Sequence, residues 1–460
     1  MKTSITLFVT LVLAVPAYAQ KASNISEASV RSHMEFLASD ALNGRGSGTR
    51  DEWIAAAYIA SQLRRWGIEP LGDNGGYVQD VQIERTEVAA PPTLTFAGGT
   101  LTHGKEMFVQ GLGAAKVSGP LQKLPASGVA TAGAVVLLAE GAPPAPQTAG
   151  ALPALIISIE TDQQRTRRQA GTTRPLTLPA RIVGTPAPAA RPTMIAVDKD
   201  SYAALSKLAD GTAISLQAEL KPVTIAHTWN AIGKLKGTAK NADDQVILLT
   251  AHLDHLGNRG AGASTAIPSP PAEDTIYNGA DDDASGSVAV LELAEQLAKG
   301  KRPKRTVIFA WFGSEESGGF GARHFIDAPP VPLEKIVANL EFEMIGRSDK
   351  AVPPHTLWLT GYERSNLGPE LAKRGAKIVA DPHPEQNFFQ RSDNIQLARR
   401  GVIAQTVSSF GLHTDYHRPT DEVKTIDFAH MTDSIRSMLK PVQWLANSNF
   451  VPAWLPGKKP

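Results

Sequence analysis

The 460-residue sequence contains no cysteine. That absence excludes disulfides, thiolate metal sites and a cysteine nucleophile, so any zinc would be held by nitrogen and oxygen. It is also compatible with an oxidising compartment. Excess charge of one sign is missing as well. There are 46 Lys and Arg against 45 Asp and Glu, a formal net charge of +1, which gives no electrostatic case for nucleic acid or an anionic membrane. The short Arg165-Thr166-Arg167-Arg168 run reads as a solvated face. No apolar run reaches the roughly 20 residues that span a bilayer, so no membrane span is expected.

Met1-Lys2, an apolar stretch from Ile5 to Val15, and Pro16-Ala17-Tyr18-Ala19 are a basic start, a short apolar core and a small-x-small site. They describe a secretory leader over residues 1–19, hence export to the periplasm or the extracellular space. Residues 20–90 read as a helical part of a larger domain, with Val30, Met34 and Leu37, then Ile54, Ala57, Ile59 and Leu63 at helical spacing. The loop between them carries Gly44-Arg45-Gly46-Ser47-Gly48. Without a preceding strand or a following Lys-Ser/Thr, it does not read as a phosphate loop. Residues 91–225 are rich in Ala, Pro, Gly and Thr, with short apolar runs and one expected helix at Tyr202–Leu208. This is the composition of a small β-rich inserted domain.

Residues 226–447 alternate strands and helices. Val246–Thr250, Thr306–Phe312, Val337–Met344, Thr356–Thr360 and Val402–Val407 read as strands, and Ser285–Lys299 and Asp427–Asn447 as helices. The fold class expected is α/β, a mostly parallel mixed sheet flanked by helices, with an irregular tail over 448–460. Chemistry-bearing residues follow or end three of these strands: His252 with Asp254 and the pair Glu315-Glu316 follow theirs, and Glu343 ends Val337–Met344. Ligands gather at the carboxyl ends of strands in open α/β sheets, so the pattern points to one shared edge. Adjacent glutamates beside a buried run are costly unless cations or a proton compensate. Asp281-Asp282-Asp283-Ala284-Ser285-Gly286, with Glu292, also fits calcium-loop spacing, although no incoming helix precedes it; the same run would cap a helix start.

Taken in order, His252-x-Asp254, Gly279-Ala280-Asp281-Asp282-Asp283-Ala284-Ser285-Gly286, Glu315-Glu316, Met344-Ile345-Gly346-Arg347 and Asp415-Tyr416-His417-x-Pro419-Thr420-Asp421 resemble the co-catalytic zinc aminopeptidases. That family includes bacterial leucyl aminopeptidases and glutamate carboxypeptidase II, and the middle segment resembles its protease-associated insert. The resemblance implies a zinc exopeptidase fold holding two zinc ions. His252 and His417 would bind one ion each, Asp282 would bridge them, and Glu316 and Glu343 would complete the set. Glu343 stands where many members have aspartate, and Glu341, two residues earlier on the same strand face, is an alternative. Glu315 would be the general base acting on a zinc-bridging water, and Tyr416 would face the developing oxyanion. Asp254 would support His252, Asp283 would lie behind the bridging aspartate, and a cis bond would join Asp282 to Asp283. The implied reaction is release of N-terminal residues from peptide substrates. Alternatives are a carboxypeptidase or dipeptidase of the same fold, a one-zinc glutaminyl cyclase, and a non-catalytic receptor-like homologue. His255, His324, His383 and His413 are given structural roles ahead of the alternative, contacts to the ligands or the substrate, and Arg391-Ser392-Asp393 resembles a family motif near the substrate pocket.

Overall fold

The computed structural model describes residues 25–143, 146–148, 150–170, 175–259 and 274–460. The leader expected over residues 1–19 lies outside the described residues. Among these residues, no helix is long and apolar enough to cross a membrane.

The Val246–His252 and Val307–Phe312 strands are apolar throughout because both of their faces are covered. Side chains alternate across a strand. Ile247, Leu249 and Ala251 therefore join Val307, Phe309 and Trp311 under one helical layer. Val246 and Leu248 join Ile308, Ala310 and Phe312 under the other. Glu27–Leu37, Arg50–Arg65, Gly286–Lys299 and Phe428–Asn447 form the first layer, and Phe320–Asp327 and Asn394–Arg399 the second. Each fully buried Leu, Ile or Phe contributes about 1.5–3 kcal/mol, which makes this three-layer body the main store of stability.

From one edge the main sheet runs Arg181–Ile182, Val78–Arg85, Thr224–Leu235, Val307–Phe312, Val246–His252, Ile336–Phe342, Ala404–Ser408, Leu357–Leu359 and Ile378–Ala380. A short Glu69–Pro70 strand also pairs with Thr224–Leu235. The four strands from Val307–Phe312 to Ala404–Ser408 are mutually parallel, whereas Thr224–Leu235 and Leu357–Leu359 join them antiparallel. The sheet is thus mixed around a parallel centre, and that centre aims the carboxyl ends of its strands at one edge.

A second, eight-stranded sheet lies within residues 93–217 and closes over its own core, including Leu94, Val109, Val135, Leu155, Ile195 and Leu216. It carries two helices, Asp162–Ala170 and Lys199–Ser206, where the sequence suggests one. The unexpected helix contains the arginine run. Arg165 and Arg168 pair with the buried Glu160, and a helix this polar shows no apolar period to read. The segment is also not confined to its own sheet: Arg181–Ile182 pairs with Val78–Arg85 of the main sheet, and Ile182 packs with Val81, Ile83 and Phe320.

Candidate metal centre

His252 is the last residue of its strand, and its backbone N–H donates to Asp283 Oδ2 (3.3 Å). Its Nε2 lies 3.2 Å from Asp282 Oδ1. Asp282 sits in the loop that starts the Gly286–Lys299 helix and is joined to Asp283 by a cis peptide bond. Behind it, Asp283 accepts from the N–H groups of Gly286 and Met344 (3.0 Å each). This ties the helix start to the end of the Ile336–Phe342 strand. Gly286 is required there, because a side-chain carbon at that position would collide with the Phe342 carbonyl. On the other side of Asp282, His417 Nε2 lies 3.2 Å from Asp282 Oδ2 and 3.2 Å from Glu316 Oε2. Tyr416 stacks on His417 with ring centroids 3.9 Å apart.

Two groups of metal-type side chains result, each with donor atoms within 4.8 Å of one another: His252, Asp282 and Glu343, and His255, Asp282 and Glu316. Asp282 belongs to both. Of the two glutamates left open by the sequence, Glu343 stands with the histidine. The Glu341 carboxylate instead accepts from Thr406 Oγ1 and the Asn394 N–H (2.9 Å each). Glu315 belongs to neither group, and its N–H donates to Asp254 Oδ1 (2.9 Å).

The electrostatics separate these groups. Burial opposes charge on Asp282, yet the imidazoles of His252 and His417 hold it well below the usual carboxylate range. Glu316, despite burial and the neighbouring Asp282, is brought down to about 2 by His255 and His417. Burial foremost, with Asp393, Glu316 and Glu343 nearby, pushes Glu315 well above the ordinary range, against the attraction of His252. Glu343 is pushed up to about 8 by burial and Glu341. Burial and the carboxylates of Asp282, Glu316 and Glu343 also raise Tyr416, keeping the phenol protonated. Carboxylates crowded at this density call for cations. The donor set fits them: His252 Nε2, Asp282 Oδ2 and Glu316 Oε1 are buried without a well-aligned hydrogen-bond partner among the described residues.

Several expectations change in detail. The Asp254 main-chain oxygen lies 3.2 Å from His252 Nδ1, whereas its carboxylate is 3.7 Å away and is engaged by Glu315 and by the Ser47 hydroxyl. Asp254 therefore orients His252 chiefly through its backbone. The calcium-loop spacing has no counterpart: Asp281 accepts from Gly346 N–H and Ser285 and pairs with His413, while Glu292 lies near Ser29 and Tyr58. His383 pairs with Asp349 (2.9 Å), in keeping with a structural role. His255 does not follow that pattern, because it stands inside the centre. Its position three residues past His252, just beyond a strand end, was the available signal.

Arg45 is the other residue whose importance the sequence hides. Fully buried, its guanidinium donates to the carbonyls of Leu37, Leu253, Asn278 and Gly279. The glycine-rich loop thus fastens the N-terminal helices to both the His252 loop and the Asp282 loop.

Residues 230–441, a little under half of the chain, match the model described as Peptidase family M28. The chain is similar to leucine aminopeptidase 1 of Pyrenophora tritici-repentis, 24% identical over 261 residues, covering 53% of this chain and 62% of that protein. It is also similar to a probable lipoprotein aminopeptidase of Mycobacterium tuberculosis, 25% identical over 391 residues, covering 81% of this chain and 66% of that protein. It spans under two thirds of the length of both relatives. Among solved structures, it shares its fold with an aminopeptidase from Aneurinibacillus sp. (TM-score 0.57, 17% identity, 94% of this chain and 97% of that one). A zinc aminopeptidase from Bacillus subtilis gives a TM-score of 0.51 at 19% identity, over 93% of this chain and 97% of that one.

Proposed function

We propose that the protein is an exported di-zinc aminopeptidase that removes N-terminal residues from peptides. The observation that carries this reading is the pair of donor groups joined at Asp282, with the Glu315 carboxyl beside them and outside both. His252 and Glu343 would hold one ion, Glu316 and His417 the other, and Asp282 both. When bound, the ions would polarise the scissile carbonyl and acidify the attacking water. Glu315 takes the proton of that water and delivers it to the leaving amine, a role open to it because it belongs to neither donor group. Tyr416, kept protonated, donates to the developing oxyanion. A pocket lined by Met344, Trp358, Phe388 and Phe410 opens beside Glu343 and Tyr416. It would take an apolar N-terminal side chain, while Glu343 and Glu315 face the free α-amine. The leader pattern at residues 1–19 supports export.

Arg391 lines the same pocket, its guanidinium 5.0 Å from the Phe388 ring centre. It is the observation that favours the carboxypeptidase or dipeptidase reading, since it would pair with a substrate carboxylate. Purified, zinc-loaded protein assayed on aminoacyl-nitroanilides, dipeptides and peptides ending in glutamate separates the readings. Activity on Leu- or Phe-nitroanilide is expected. Inactivity on every nitroanilide with two zinc ions bound would overturn the aminopeptidase reading.

A further inference from the structure

His255 is completely buried, and its ring lies against Gly279. A side-chain carbon on Gly279 would come within 2.5 Å of the ring, and that residue's φ of +55° lies where glycine is favoured. The His255 backbone is fixed from the other side, its N–H donating to the Arg45 carbonyl (3.0 Å). Held this way, Nδ1 reaches 2.8 Å from Glu316 Oε1 and 3.8 Å from Asp282 Oδ2. His417 meets the same two carboxylates, and the two imidazoles stand edge to face with centroids 5.8 Å apart. Neither nitrogen of His255 has a well-aligned hydrogen-bond partner among the described residues, although both are sealed from water. Asp421 lies within electrostatic reach of the ring, as acidic groups behind a ligating imidazole commonly do.

We propose that His255 is itself a metal ligand, binding through Nδ1 the ion held by Asp282, Glu316 and His417. This rests on the two-metal reading and adds to it an inequality between the two positions. One position has four protein ligands, two imidazoles and two carboxylates, the complement of a closed zinc site. The other has three, His252, Asp282 and Glu343, and keeps room for substrate. The closed position anchors its metal. The open one includes Glu343, which lines the apolar pocket together with Tyr416.

The competing explanation is that His255 only donates a hydrogen bond to Glu316, so the test must part ligation from hydrogen bonding. His255→Asn places an amide N–H near the position of Nδ1. It preserves the bond to Glu316 but is a poor zinc ligand. Zinc titration of the full-length apoprotein by chelator competition reads both sites without reference to turnover. For the wild type, two ions are expected in a tight step and a weaker one. For His255→Asn, the tight step should weaken by more than the roughly 10–100-fold typical of an outer-shell partner. X-ray absorption of the wild-type di-zinc protein is an independent measurement that requires no variant. It should count three imidazoles shared by the two ions. Two ions bound with unchanged constants in His255→Asn, or only two imidazoles in the wild type, would overturn the assignment while leaving the di-zinc reading intact. Fewer than two ions in the wild type would overturn that reading, and this proposal with it.

Discussion

Glu315 and Glu316 share a loop, but their surroundings drive them in opposite directions: imidazoles bring Glu316 down to about 2, while burial among carboxylates drives Glu315 up. The proposed mechanism gives them unlike work, which can be measured. Glu315→Gln should bind zinc normally while kcat falls about 10²–10⁴-fold; normal turnover in that variant would remove Glu315 as the base. Tyr416→Phe should lower kcat about 10²–10³-fold and leave KM nearly unchanged, as expected for a donor used in the transition state. At this scale much of the candidate site was legible, because adjacent acids beside a buried strand are costly without cations and the other motifs follow in the family's order. His255 was not legible, since a histidine past a strand is more often a buried hydrogen-bonding residue. The choice between Glu341 and Glu343 was not legible either, because the two point the same way along a strand.

Within elements, buried ionisable groups leave a pH signature away from the metal centre. Glu292 faces the first two helices, and burial foremost, aided by Glu295, moves its carboxyl from 4.5 to about 7. The folded state therefore holds a proton that the unfolded chain releases between those values. The resulting stability is fully present below about 4.5 and is lost as pH rises through 7. Glu292→Gln should accordingly stabilise the protein by about 1–3 kcal/mol at pH 8 and by little at pH 4, read as the difference in melting temperature from wild type at each pH. His33, on the facing helix, acts in the opposite sense. Burial lowers it to about 4, so folding is penalised as pH falls below 6.5. Arg45 offers a sharper test. Arg45→Met leaves four buried carbonyls without their donor and should destabilise by about 3–5 kcal/mol, measured by urea unfolding. The apolar period gave the helices and strands themselves, but carried no trace of this clamp, whose partners lie up to 234 positions away.

For the molecule as a whole, metal and fold are coupled. Ligands from the ends of three strands, the loop before the Gly286–Lys299 helix and the 413–417 segment converge on one point. Ions bound there stabilise only the folded state. Chelation should lower the melting temperature and zinc should restore it, with a gain of about 4 kcal/mol when free zinc is 1,000-fold above its dissociation constant. An unchanged melting curve would argue against a metal centre at this place. The α/β class followed from strand-helix alternation because buried strands leave long apolar runs. The antiparallel flanks did not, since the direction in which a strand enters a sheet is set by connections rather than composition. The Arg181–Ile182 strand has a further consequence. Because it lies beside Val78–Arg85 and covers Val81, Ile83 and Phe320, the middle segment is stitched to the body partway along its length as well as at its two ends. It is not a cassette that can be cut out cleanly. Splicing residue 90 to residue 222 would strip a sheet edge and uncover an oily face, and the shortened protein should self-associate. Any loss of activity in such a truncation would then report on aggregation before it reported on the role of the insert.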